Sequence, residues 1–193
     1  MTTISRDSLM SLETYARERQ AWRARIIPHR RVRSVQIGEH LNLQFEDEQT
    51  VRYQIQEMLR IEKIFEEAGI EEEIRVYGPL VPDGSNWKAT LLIEYPDEAQ
   101  RRVELARLIN IENRIWVRVG GHEKAYAIAD EDLERSNDDK TSAVHFLRFE
   151  LTPAMVAAAK SGKELSMGAD HPQYLVDVKV PEPARTALVA DLA

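Results

Sequence analysis

The chain has 193 residues, 43% of them hydrophobic and 31% charged, with a net charge of −7. That composition predicts a single globular domain with room for a substantial core, and excludes a disordered or fibrous chain. There is no cysteine, which excludes disulfides, thiolate nucleophiles, Cys-ligated zinc and Cys-held iron–sulfur clusters within the chain.

No run approaches the roughly 18 apolar residues of a membrane span. The opening stretch lacks a basic segment followed by an apolar one, so no signal peptide is expected. The expected location is cytoplasmic.

Residues 6–25 predict a first helix with Leu9, Leu12, Tyr15, Ala16 and Trp22 on one face, Ser5 as its cap and Pro28 as its stop. Its surroundings are basic. Residues 17–33 hold Arg17, Arg19, Arg23, Arg25, Arg30, Arg31 and Arg33 against Glu18, a local +6 that leaves −13 elsewhere. The arginines suit a phosphate patch, or they pair with acidic clusters of the same fold. An acidic protein repels nucleic acid at long range, so nucleic acid is not the expected partner.

A hairpin follows, with Val35 and Ile37 in one arm, Leu41, Leu43 and Phe45 in the other, and Gly38-Glu39-His40 between them. Residues 47–68 predict the strongest helix, stopped by Gly69. The breaker-rich loop 77–86 leads to a strand over 89–95, whose run Leu91-Leu92-Ile93 suggests cover on both faces. That loop ends near Trp87 and Lys88, which suits either an anion site or a stiff connector with Trp87 plugging the core. Another helix is expected from Pro96-Asp97 to about residue 109.

Residues 115–119 and 122–128 flank Gly120-Gly121, read as a two-residue hairpin turn. That register sets Arg118 opposite Glu123 as an ion pair and puts Ile115, Val117, Tyr126 and Ile128 on the core face. An aperiodic acidic loop covers 130–141, and with 77–86 it is one of two segments where a mobile lid could lie. A strand over 144–151, a short Ala-rich helix opened by Thr152-Pro153, and strands over 165–167 and 174–180 follow. A last helix over 182–192 completes the chain. Helices and hairpins without regular β-α-β alternation predict an α+β fold: a mostly antiparallel sheet with helices packed against it.

The sequence contains no Gly-rich phosphate loop, G-x-S-x-G or H-E-x-x-H motif. No two of its five histidines lie within four residues of each other, so a metal site would need distant segments, for example His122, His145 and His171 with a carboxylate. Period two sets His145 beside Leu147, Phe149 and Leu151, on the apolar face of its strand, with Arg148 on the other face. The imidazole is expected to be buried, as a core histidine or as a base or ligand. His171, before Pro172, reads as a turn residue, and His29 as a surface one.

At about 100° per residue, Glu62 falls inside the apolar stripe of Val51, Ile55, Met58, Leu59 and Phe65. A carboxylate there needs a partner. His145 is the nominee, with Arg148 or an arginine of the first helix as alternatives, unless the stripe reaches water at Glu62. Glu62, His145, His171 and Arg148 are therefore the candidate catalytic residues, with Glu57 in support, and Glu62, His145 and His171 the candidate metal ligands.

Several stretches together carry a family resemblance. They are residues 53–62 (YQIQEMLRIE), 79–84 (PLVPDG), 127–135 (AIADEDLER), 140–149 (KTSAVHFLRF) and 168–172 (GADHP). With them the chain resembles the bacterial "domain of unknown function 3501" family over nearly its whole length. The resemblance brings no established activity. It implies a neighbourhood with a rubrerythrin and an iron–sulfur oxidoreductase subunit, an association and not a mechanism. A cysteine-free chain in such a system leaves the thiolate-held redox centres to its partners. The leading expectation is an accessory or docking protein; the alternatives are a small metal-binding protein or enzyme with a carboxylate–histidine site and, behind it, an RNA-binding protein.

Overall fold

The computed structural model describes residues 4–131, 135–137 and 139–193. Of the loop over 130–141, residues 132–134 and 138 lie outside the described residues.

After a 3-10 turn at Arg6–Ser8, helix α1 runs Leu12–Arg31, capped by Ser11, which accepts from the Thr14 amide. The expected start and stop are both displaced. Gln56 takes the segment before α1: its side chain accepts from Met10 N at 2.6 Å and is fully buried. Pro28 lies inside the last turn. It forfeits one helical hydrogen bond there, and the helix closes three residues later.

Strands β1 (Ser34–Ile37) and β2 (Leu41–Phe45) form the expected hairpin. Helix α2 (Glu48–Glu62) is capped by Asp47, which accepts from Thr50 N. It ends at Lys63, whose φ of 57° is left-handed. Helix α3 (Glu67–Tyr77) then passes straight through Gly69. The predicted single helix is therefore two, broken six residues before the glycine. Gly69 serves close approach instead: a Cβ there would meet Ile64 Cγ2 at 2.6 Å.

Strand β3 (Asn86–Ile93) starts earlier than predicted, and Leu92 is half-covered, so burial alternates along it. Trp87 plugs the core: its Nε1 donates to Leu188 O at 2.8 Å. Helix α4 (Glu98–Arg107), a 3-10 turn at Ile111–Arg114 and β4 (Ile115–Val119) follow. Two short strands, β5 (Ala125–Tyr126) and β6 (Ile128–Ala129), lead to β7 (Val144–Glu150), α5 (Pro153–Lys160), β8 (Leu165–His171), β9 (Tyr174–Lys179) and α6 (Glu182–Ala190).

The strands form two antiparallel sheets, β1-β2-β3-β7-β6 and β5-β4-β8-β9. The fold is α+β, with hairpins as its units. The chain changes sheets between β5 and β6, at Ala127, whose N donates to Ile115 O at 2.9 Å. The inner faces of both sheets and apolar residues of α4, α5 and α6 share one core, which includes Phe45, Trp87, Val117, Phe149 and Leu188. Helices α1–α3 gather around a second, smaller cluster of Val51, Ile55, Leu59 and Ile70. Polar residues link the two. Glu46, 2% exposed, accepts from Thr50 of α2 at 2.5 Å and Thr90 of β3 at 2.7 Å.

The Gly120-Gly121 turn is present, with His122 N donating to Val119 O at 3.1 Å. The register beyond it is not the predicted one. Pairing resumes with Val117 opposite Ala125 and Trp116 opposite Tyr126. One extra residue on the second arm accounts for the slip, which inverts the faces. Tyr126 and Ile128 are exposed, not core. Arg118 turns to Ser166, at 3.2 Å, and Asp177, at 3.0 Å, instead of Glu123.

Candidate functional site

Alternation in β7 turns His145 inward with Leu147 and Phe149, and its side chain is fully buried. The carboxylate that meets it comes from Asp130, at the end of β6. Asp130 holds a left-handed φ of 51°, which aims its side chain back at β7. Its Oδ1 accepts from Phe146 N at 3.0 Å and Arg135 Nη1 at 3.2 Å; its Oδ2 lies 2.5 Å from His145 Nδ1. The other ring nitrogen, Nε2, lies 2.8 Å from Thr141 Oγ1 and 3.0 Å from Ser142 O.

Thr141 extends the network. Its hydroxyl is 3.2 Å from Glu112 Oε2 and 2.9 Å from Ser136 Oγ, and Ser136 donates to Glu112 Oε1 at 2.8 Å. Glu112 belongs to the 3-10 turn after α4 and is itself buried. Asp130, His145 and Thr141 thus have the connectivity of acid, imidazole and hydroxyl found in nucleophilic sites. Thr141 is 1% exposed and His145 0%, so no substrate reaches the hydroxyl in this conformation. Each polar group meets a partner, and the network fastens the loop after β6 to β7 and to the turn before β4.

The other predicted residues lie apart from it. Glu62 is exposed: the stripe reaches water there, the alternative left open for it, and the pairing nominated for a buried Glu62 is not formed. The apolar stripe ends with α2 itself: Phe65, its assumed continuation, is 70% exposed. The partner of His145 is Asp130, not Glu62. His171 closes β8, against its reading as a turn residue. It donates from Nε2 to Ile109 O at 3.1 Å, while Nδ1 accepts from Gln173 N at 3.2 Å. His122 sits at the hairpin turn, half-covered. Arg148 lies on the opposite face of β7 from His145, donating to Glu131 at 2.7 Å from both Nε and Nη2 and to Glu150 from Nη1. Among the described residues no group of three His, Asp or Glu side chains is placed to hold a metal ion.

Glu57 carries more than a supporting part. It accepts from Arg19 at 2.7 and 2.8 Å and from the buried Tyr15 hydroxyl at 2.6 Å. Arg19 above all, together with Tyr15 and Arg60, holds its carboxyl down at about 2 against the opposing effect of burial. His29 is not a free surface group either; its Nε2 lies 2.6 Å from Asp47.

The remaining feature is α1. Only Tyr15 and Ile26 of its twenty residues are buried. At about 100° per residue, Arg17, Ala24, Pro28 and Arg31 form a strip on the side away from them, and all four are exposed. Three arginines of the basic segment have internal roles: Arg19 on Glu57, Arg33 on Asp47 and Asp191, and Arg30 over the Tyr53 ring. Arg17, Arg23, Arg25 and Arg31 form no ion pair among the described residues, although Arg17 lies close enough to Glu13, one turn back, to help lower its carboxyl pKa.

The family model described as "Protein of unknown function (DUF3501)" matches residues 3–192. The chain belongs to this family. A solved structure, described as a novel protein of unknown function from Burkholderia pseudomallei K96243, is similar at 56% identity. The match covers 100% of both chains with a TM-score of 0.95. Among curated proteins nothing matches. No helix among the described residues is long and apolar enough to cross a membrane.

Proposed function

We propose that this protein is a non-catalytic accessory subunit of a redox system, docking through α1 on an acidic face of its partner. The partner is the rubrerythrin-like protein or iron–sulfur oxidoreductase subunit that the family resemblance implies. One observation carries the reading: a twenty-residue helix that buries two side chains and presents Arg17, Arg23, Arg25 and Arg31, none of them in an ion pair among the described residues and with Arg17 near a carboxylate of its own helix, Glu13. Most helices are held by packing of a broad apolar face. Here the outer strip mixes cations with Ala24, Pro28 and the half-exposed Ile27, a composition that suits a charge-steered contact.

The test is copurification of tagged protein from its native host, with the two named partner types identified in the eluate. Recovery of either supports the proposal when Arg17→Glu/Arg31→Glu abolishes it and the variant keeps a native circular dichroism spectrum. Recovery of neither, or recovery indifferent to the charge reversal, overturns it.

The Asp130–His145 pair favours a second reading, a carboxylate–histidine enzyme or metal site opened by movement of the loop after β6. Elemental analysis of protein purified without chelator addresses the metal version. Zinc, iron or manganese near one equivalent supports it, and less than about a tenth of an equivalent removes it.

A further inference from the structure

On the outer face of the first sheet, β3 and β7 set Lys88 directly opposite Arg148. Like charges at opposed positions of a sheet are destabilising. Both are drawn out of water as well, Lys88 half-buried and Arg148 with a side chain 26% exposed. The pair floors a groove of about 570 Å³ between α3 and the sheet, with Tyr77, Leu80 and Phe146 among its walls and Glu131 at its rim. That is the size of a small-ligand site.

The donors are partly committed. Lys88 Nζ donates to Pro79 O at 2.6 Å and Val81 O at 2.9 Å. An ammonium has three N–H groups, so one remains for a ligand. Burial pulls the amine's pKa down, and Arg148 adds to the effect against Asp83, Glu131 and Glu150, which oppose it. An anion beside the two cations relieves both the desolvation and the repulsion. Arg148 is held by Glu131 through Nε and Nη2 and by Glu150 through Nη1, both carboxylates lying about half exposed. An incoming carboxylate or phosphate binds by taking the place of Glu131 in the same bidentate contact, and Glu131 swings into solvent.

We infer that this groove binds a small organic anion, its carboxylate or phosphate head at Lys88 and Arg148 and its apolar body against Tyr77, Leu80 and Phe146. The site uses no residue of α1 and stands or falls apart from the docking proposal.

The experiment titrates the full chain with benzoate, phenyl phosphate and inorganic phosphate, followed by amide NMR shifts and calorimetry. The expected result is saturable binding of benzoate or phenyl phosphate, with shifts centred on Lys88, Phe146 and Arg148. The tighter of the two identifies the head group. Arg148→Gln is expected to weaken that binding about tenfold or more, and Arg107→Gln, outside the groove, to leave it unchanged. The shift map on the unsubstituted chain serves even if the variant fails to fold. No saturable shift at about 5 mM of either organic anion, shifts centred elsewhere, or inorganic phosphate binding as tightly as phenyl phosphate would overturn the inference.

Discussion

His145 Nδ1 and Asp130 Oδ2 lie 2.5 Å apart, the imidazole fully buried and the carboxylate nearly so. The contact joins a regular strand to a residue in the left-handed region, and the loop after β6 hangs on it. Asp130→Ala removes the acceptor of both His145 and the Phe146 amide and forces an unfavourable φ on alanine. It is expected to cost about 3–4 kcal/mol in urea unfolding. Asp130→Asn tolerates the left-handed backbone and keeps an acceptor, so its expected cost is about half as large. Equal losses in the two variants would show that the φ angle and the Phe146 bond contribute little.

The Glu57 cluster makes the α1–α2 junction acid-sensitive. Its folded-state carboxyl lies at about 2, below the ordinary 4.5. A depressed carboxyl contributes stability that is present above the unfolded value and is lost as pH falls toward the folded one. Stability should therefore decline between about pH 5 and pH 2 as α1 loosens from α2. Glu57→Gln should remove that part of the slope and cost about 1.5–3 kcal/mol at neutral pH, through loss of charge-assisted bonds. Urea titrations at stepped pH, for both proteins, read the difference. Parallel slopes would contradict it.

The parts legible in the sequence are those set by local periodicity. Period two in 144–151 turned His145 inward, and the caps Asp47, Asp97 and Thr152 open α2, α4 and α5 as their side-chain chemistry demands. The partners of His145 had no such signal. Asp130 and Glu112 come from a loop and a 3-10 turn, each entered through a non-glycine residue of positive φ, Asp130 itself and Asn110. An aperiodic acidic loop flanking a strand with an inward histidine was the one available hint. Glu62 was misplaced because a helical projection gives azimuth and not cover: Glu62 is the last residue of α2, where the stripe reaches water, and Phe65 lies past the helix end. Lys63 takes up the left-handed position usually given to glycine, and beyond it azimuth has no meaning. The two-sheet division escaped for a similar reason, since it turns on Ala127, which carries no composition signal.

Gly168 lies in the middle of β8, opposite Trp116 of β4 and Asp177 of β9. A Cβ there would stand 2.1 Å from Val176 O and 2.5 Å from Trp116 Cζ2. A backbone carbonyl cannot yield as a flexible side chain does. Gly168→Ala is therefore expected to destabilise by about 3 kcal/mol or more despite alanine's better strand propensity, through overpacking in the second sheet. The same shift would disturb the Trp116 Nε1 bond to Asp170, 3.1 Å long, on which Lys124 and Tyr126 also converge. Chemical unfolding monitored by tryptophan emission tests both effects. A change below about 1 kcal/mol would mean that β8 and β9 separate readily.

Arg33 supplies the last prediction, because it ties the C-terminus to the start of α2. It is 3% exposed and donates to Phe45 O at 3.2 Å and Glu46 O at 3.1 Å. Its guanidinium also meets Asp191 and lies 3.4 Å from Asp47. Burial pushes the Asp191 carboxyl up, and Arg33 only partly opposes it. The sign is opposite to that of Glu57. The folded state holds the Asp191 proton to higher pH than the unfolded one, so this group alone works against stability as pH rises through the carboxylate range. Breaking the pair at neutral pH is still costly, because Arg33 is left buried with half its counter-charge. Asp191→Ala is expected to lose about 3 kcal/mol. Replacing both partners removes the desolvated pair, and Asp47 keeps His29 as its partner. Arg33→Met/Asp191→Leu should therefore be more stable than Asp191→Ala and more stable than the sum of the single changes predicts. A double-mutant cycle in urea measures the coupling, and additive losses would show that the two side chains are held independently.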